Sequence, residues 1–163
     1  MEDKREESIE KLKSLTEGID FCMLTTINGG QLRSRPMSTQ EFDENGDLWF
    51  FTSDDTHKVE EIERDSRVNV AYSKPEDNVY VSVAGKAQLV KDKEKIEELW
   101  NPILKAWFPK GLDDPTLALL KISVEEAEYW DSPSSTIVQL VGFVKALVTG
   151  KSADGGEHGT VRL

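Results

Sequence analysis

A chain of 163 residues with 31 acidic against 20 basic side chains, a net charge of -11 and a pI near 4.7 has the size of one domain able to bury most of its apolar surface. Its acidity argues against nonspecific attraction to nucleic acid or anionic membranes, and an anionic ligand must be drawn in by a local basic pocket against the overall field. No apolar run approaches a bilayer-spanning length and the opening MEDKREESIEKLKSL is charged throughout, so neither a membrane span nor a secretory signal is expected and a cytoplasmic location is the simplest inference.

Residues 3–17 read as an amphipathic helix with Ile9, Leu12 and Leu15 inward and Gly18 as its stop. A strand over 19–27 follows, with Cys22 in its apolar run. As the single cysteine, Cys22 excludes an intrachain disulfide and reads as a buried, inert thiol. Asn28-Gly29-Gly30 turns the chain into a long strand carrying Arg33 and Arg35, and Pro36 places that strand at an edge or a bulge. A second turn at Glu44-Asn45-Gly46-Asp47 leads to a short strand, Leu48 to Thr52. A helix then opens near Asp54, with Asp54 or Asp55 as its cap and Lys58 in its first turn, and continues through Val59, Ile62 and Arg64.

Alternation over Arg67–Ser73 and a turn at Lys74-Pro75-Glu76-Asp77-Asn78 lead to a long strand from Val79 to Val90, bent or bulged at Gly85. Lys91 to Trp107 reads as one helix with Ile96, Leu99, Trp100 and Ile103 inward and a kink at Pro102. After a loop over 108–115, Thr116–Val124 and Ala127–Trp130 read as two strands. A further helix runs from Ser134, with Ile137, Leu140, Val141, Val144 and Leu147 on one face and Gly150 ending it. The division is thus one domain over 1–150 and a flexible C-terminal tail over 151–163, of which only the last residues dock. Antiparallel strands joined by short turns indicate a mainly β fold with flanking helices, a barrel rather than a parallel sheet.

The two hairpin strands and the helix start would bring Arg33, Arg35, Thr52, Ser53, His57 and Lys58 to one end of a sheet. Two guanidiniums, hydroxyls, a lysine and unpaired helix amides are what a phosphate monoester requires. Taken one residue at a time, solvated basic side chains account for the same pattern more simply. Asp54 and Asp55 would repel a dianion unless turned outward or engaged in capping. The only histidines, His57 and His158, lie far apart, and no metal site is expected. No catalytic residue is assigned.

Arg33-Ser34-Arg35-Pro36-Met37, then Trp49-Phe50-Phe51-Thr52-Ser53, His57-Lys58, Val81 to Ala87 and Tyr129-Trp130-Asp131 occur in an order and spacing that resemble the FMN-binding split barrels. These are relatives of pyridoxamine 5'-phosphate oxidase, and the likeness is greatest to the general stress protein 26 branch. The resemblance, over roughly residues 5–150, implies a six- or seven-stranded antiparallel split β-barrel and a homodimer with flavin at the subunit interface. It would lay Arg35, Pro36 and Met37 beside the isoalloxazine and ribityl chain, with Phe51, Thr52, Thr56, His57 and Lys58 on the phosphate side. Tyr80 to Ser82, with Trp107 or Trp130, would come from the second subunit. The implied cofactor is FMN, with FAD possible and F420 or haem as other occupants of the same crevice. Two functions follow from the resemblance: a flavin-dependent oxidoreductase between a reduced nicotinamide and a small acceptor, or a non-catalytic flavin-binding stress protein. The vitamin-B6 oxidases carry a basic, histidine-bearing segment near the C-terminus. Glu125 to Ser135 has no arginine or histidine, which speaks against oxidation of pyridoxamine phosphate.

Overall fold

A computed structural model of the chain describes residues 2–132, 144, 145, 147–150 and 157–163. Its strands are β1 (Phe21–Asn28), β2 (Gln31–Phe42), β3 (Asp47–Ser53), β4 (Arg67–Lys74), β5 (Val79–Val90), β6 (Leu117–Asp131) and β7 (Glu157–Arg162). They pair antiparallel in the order β3-β2-β1-β4-β5-β6-β7, and a further β3–β6 pairing closes the first six into a barrel. The helices are α1 (Glu2–Thr16), α2 (His57–Arg64) and α3 (Lys93–Leu99). This is the mainly β barrel with flanking helices that the strand pattern implied, and the split barrel that the resemblance implied.

Local chemistry explains the hairpins. Gly29 and Gly30 take φ of 56° and 87° between the paired residues Asn28 and Gln31, and a two-residue turn with both central φ positive suits the right-handed twist of its strands. β2 pairs with β1 along its N-terminal part and joins β3 only from Thr39, with an irregularity between Thr39 and Glu41. Pro36 therefore lies where β2 has a strand on one side only, which a residue lacking an amide proton tolerates. Gly85 sits at the register shift between β5 and β6, and a Cβ there would lie 2.3 Å from the Ser123 carbonyl oxygen. The barrel bends where the two backbones touch.

Ile9, Leu12 and Leu15 of α1 are all buried, Leu12 completely, and Leu12 and Leu15 join the core cluster that holds Leu24, Phe50, Leu120 and Ile122. Cys22 is buried too; its thiol donates to the Met37 carbonyl oxygen at 3.3 Å, and burial raises its pKa. A second apolar cluster, Trp49, Phe51, Leu104, Leu117 and Leu119, packs against residues of α3 and Phe108. β3 is therefore covered on both faces, which accounts for its unbroken Leu-Trp-Phe-Phe run.

Several sequence expectations are corrected. The helix expected over Lys91–Trp107 is α3 followed by a 3-10 turn, Pro102–Ala106, because Asn101 precedes a proline and is extended (φ -133°, ψ 134°). The two strands expected over 116–130 are one, since the acidic pair Glu125-Glu126 only offsets the pairing and the Leu163 amide bonds to the Glu125 carbonyl. α2 opens at His57 with Thr56 at its N-cap position and no side-chain cap; Asp54 is instead bonded to Lys91 Nζ at 2.5 Å. Residues 157–162 of the expected flexible tail form β7, paired with Glu126–Asp131. Of the helix expected from Ser134, residues 144, 145 and 147–149 are helical and Gly150 has φ 70°. Val144 and Leu147, expected on its inner face, are exposed, and Ile137, Leu140 and Val141 lie outside the described residues.

Candidate functional site

Side chains alternate across β2, so Arg33 and Arg35 share a face with Met37 while Pro36, Ser38 and Gln40 take the other. Arg33 and Arg35 turn toward Glu61 of α2. Arg35 donates from Nη1 to Thr26 Oγ1 (2.8 Å) and from Nη2 to Glu61 Oε2 (3.1 Å), and Arg33 Nη1 lies 3.6 Å from Glu61 Oε1. Thr26 also donates to Glu61 Oε2. Glu61 is only 4% exposed. Burial pushes its carboxyl pKa up, but the Thr26 hydrogen bond and the two guanidiniums outweigh that and hold it below the ordinary value.

Lys58, three residues earlier on α2, points the other way. Its Nζ donates to Thr52 Oγ1 (2.7 Å) and Thr56 Oγ1 (3.3 Å), and it forms no salt bridge among the described residues. Burial lowers its pKa, the positive charge of Arg35 lowers it further, and Glu61 opposes both. Thr52 is held in place as a buried residue of β3, and the Thr56 hydroxyl donates to the Ser53 carbonyl at 3.1 Å.

These groups form one end of a cleft of about 240 Å³. Thr52, Ser53, Thr56 and Lys58 make its polar end, and Pro36, Met37, Phe51 and Trp107 belong to its apolar walls. Lys58 is the only ionisable side chain among the described lining residues. The arrangement suits a ligand with an anionic head and a flat apolar body.

The remaining expected site residues do not line this cleft. Arg33 and Arg35 stand behind it on Glu61, close enough for Arg35 to act electrostatically on Lys58. The His57 side chain is 92% exposed and lies 3.7 Å from Glu60. Tyr80 and Trp130 are cross-strand partners on β5 and β6, with Trp130 stacked on His158 at 5.2 Å, and Ser82 Oγ accepts from Asn69 Nδ2 at 2.9 Å. Trp107, expected from a second subunit, lines the cleft of its own chain because the 3-10 turn before it packs on β3. Asp54 and Asp55 are not among its lining residues, and Asp54 is paired with Lys91.

Sequence reasoning missed Phe21, Ser38, Gln40, Leu104 and Phe108 in the lining, and Glu61 behind it. Ser38 lies two residues from Pro36 on the same strand face, and Phe21 is its partner across the hairpin. Glu61 could have been sought three positions after Lys58, beside the buried Ile62. Leu104 and Phe108 carry no local signal, because their place depends on how the helix breaks.

Residues 7–154 match the family described as Pyridoxamine 5'-phosphate oxidase like. The chain is 33% identical over 120 residues to general stress protein 26 of Bacillus subtilis, covering 72% of this chain and 84% of that protein. Among solved structures, a protein assigned as general stress protein 26 from Jannaschia sp. CCS1 superposes with a TM-score of 0.75 at 27% identity, covering 94% of this chain and 97% of that one. The general stress FMN/FAD binding protein of Xanthomonas citri superposes with a TM-score of 0.66 at 30% identity, over 83% and 93% of the two chains.

Proposed function

Because the chain belongs to the pyridoxamine 5'-phosphate oxidase-like family, we propose that its cleft binds a flavin nucleotide, FMN, and that the protein is a flavin-dependent oxidoreductase acting on a small substrate. The observation that carries this reading is Lys58: a desolvated ammonium at the hydroxyl-lined end of an aromatic cleft, paired with no carboxylate among the described residues. A partly buried cation in direct contact with no carboxylate is costly, and an anionic ligand would relieve that cost. The name of the Xanthomonas citri neighbour, an FMN/FAD binding protein, supports the same reading. FMN is preferred to FAD because it is the smaller nucleotide and ends in one phosphate, matching the single cationic end.

In this assignment Lys58, Thr52, Ser53 and Thr56 hold the phosphate, while Pro36, Met37, Phe51 and Trp107 confine the ring. The bound flavin would supply hydride and electron transfer. The chain's own residues bind, orient and exclude water, since no histidine or carboxylate is found among the described lining residues. That same absence favours one second reading, a flavin-binding stress protein without turnover.

The outward strand faces carry Met23, Tyr80 and Trp130, between 38% and 43% exposed. We propose that a second copy covers them, giving a homodimer in the cytoplasm in which Tyr80, Ser82 and Trp130 approach the partner's cleft. Freshly purified protein should absorb at about 450 nm, the flavin band, and the mass of the released ligand separates FMN from FAD, F420 and haem. Colourless protein that fails to quench added FMN fluorescence refutes the binding reading. Flavin-loaded protein that never oxidises reduced nicotinamide refutes turnover with that donor.

A further inference from the structure

A second hollow of about 360 Å³ adjoins the cleft, sharing Phe21, Ser38, Gln40, Leu104 and Trp107 with it. It adds Asp20, Asn101 and Ile103, and Lys58 is not part of it. One side is aromatic and apolar: the rings of Phe21 and Trp107 lie 6.3 Å apart at 60°, and Trp107 is 57% exposed. The lining also has polar groups, and its only ionisable one is Asp20, which makes no hydrogen bond or salt bridge among the described residues. Gln40 Nε2 donates to the Ser38 carbonyl at 3.1 Å, so the amide oxygen of Gln40 is its free acceptor.

Charge around the hollow is net negative. The groove that continues past Asp20 carries Glu10, Lys13, Glu17 and Glu41. Lys13 lies 3.9 Å from Glu10 and Glu41 is taken by Lys95 at 2.7 Å, leaving Glu17 and Asp20 as the unpaired charges of that rim among the described residues. An exposed indole and a free carboxylate lining one hollow, in a chain of net charge -11, favour a cation stacked on an indole.

We propose that this hollow is a second-ligand subsite that takes a flat cationic heteroaromatic molecule, stacked on Trp107 with its charge toward Asp20, and disfavours anionic ligands of the same shape. This rests on the flavin reading only in assigning the neighbouring cleft to the cofactor. A phosphate-bearing substrate is unsuited to the subsite, because no cation lines it.

The test uses three rings of one size on the full-length protein: 1-methylnicotinamide as the cation, nicotinamide as the neutral compound and nicotinate as the anion. Binding is followed by tryptophan fluorescence quenching in flavin-free protein, with Trp107→Phe identifying the responding indole. The cation should bind about tenfold more tightly than the anion, with nicotinamide between them, and Asp20→Asn should bring the two ions to within about threefold. Equal or tighter binding of nicotinate, a preference that survives Asp20→Asn, or no quenching by any probe overturns the proposal. FMN uptake by the same wild-type preparation is read separately. FMN bound without a cation preference sinks the subsite alone, and a cation preference without FMN binding sinks the flavin assignment alone.

Discussion

Replacing Lys58 by methionine separates what this residue does for the fold from what it does for a ligand. Its Nζ is desolvated and feels Arg35, and both effects lower its pKa. In the ligand-free protein the charge is therefore a burden, and Lys58→Met should leave the melting temperature unchanged or raise it. Thr52 is not orphaned, because its hydroxyl also donates to the Ser53 carbonyl at 3.3 Å. A phosphate at the same place would lose a charge-assisted bond of about 1.5–3 kcal/mol, or roughly 10- to 150-fold in Kd. Riboflavin, without the phosphate, should bind wild type and variant alike. Titration of flavin fluorescence with both compounds, beside a thermal melt of each protein, reads all these quantities. Equal weakening of FMN and riboflavin, or a melting temperature several degrees lower, refutes the reasoning. The pH dependence has a definite sign. Anion binding favours the charged lysine and raises its pKa, so FMN affinity is full between the second phosphate pKa of about 6 and the lowered lysine pKa of the free protein. It declines as pH rises through that value, beginning below the ordinary 10.5. Riboflavin should show no such decline.

Glu61→Gln removes the buried counter-charge of Arg33 and Arg35 and should cost about 2–4 kcal/mol in urea unfolding at neutral pH. Because the native pKa of Glu61 is lowered, its stabilisation is complete above the ordinary value of 4.5 and is lost as pH falls through the native one; the variant's acid-side stability curve should be correspondingly flatter. Gly85→Ala places a methyl group 2.3 Å from the Ser123 carbonyl oxygen, so unfolding should show a loss of about 1–3 kcal/mol from backbone displacement. Leu12→Ala opens a cavity under α1, where Leu12 is 0% exposed, and should cost about 2–5 kcal/mol by the same measurement.

Much of the barrel was readable along the chain because its signals are short-range. Gly29-Gly30 and Gly46 announced their turns through the φ values they permit. The alternation of Val79 to Val90 gave the bounds of β5, and the spacing of Ile9, Leu12 and Leu15 gave the inner stripe of α1. The polar end of the cleft was also legible, since Thr52, Ser53, Thr56 and Lys58 lie within seven consecutive residues that bridge β3 and α2. Only the tertiary structure decided which cations face the cleft. Arg33 and Arg35 share a strand face with Met37 and meet Glu61 from a helix packed across that face, while Lys58 turns to the hydroxyls. Likewise the break after α3 brings Leu104, Trp107 and Phe108 to the cleft, and β7 completes the edge of β6 from far along the chain. Periodicity records which side of a segment is apolar, whereas the partner that covers it depends on distant contacts, and those decide where a charge is neutralised and where it is left for a ligand.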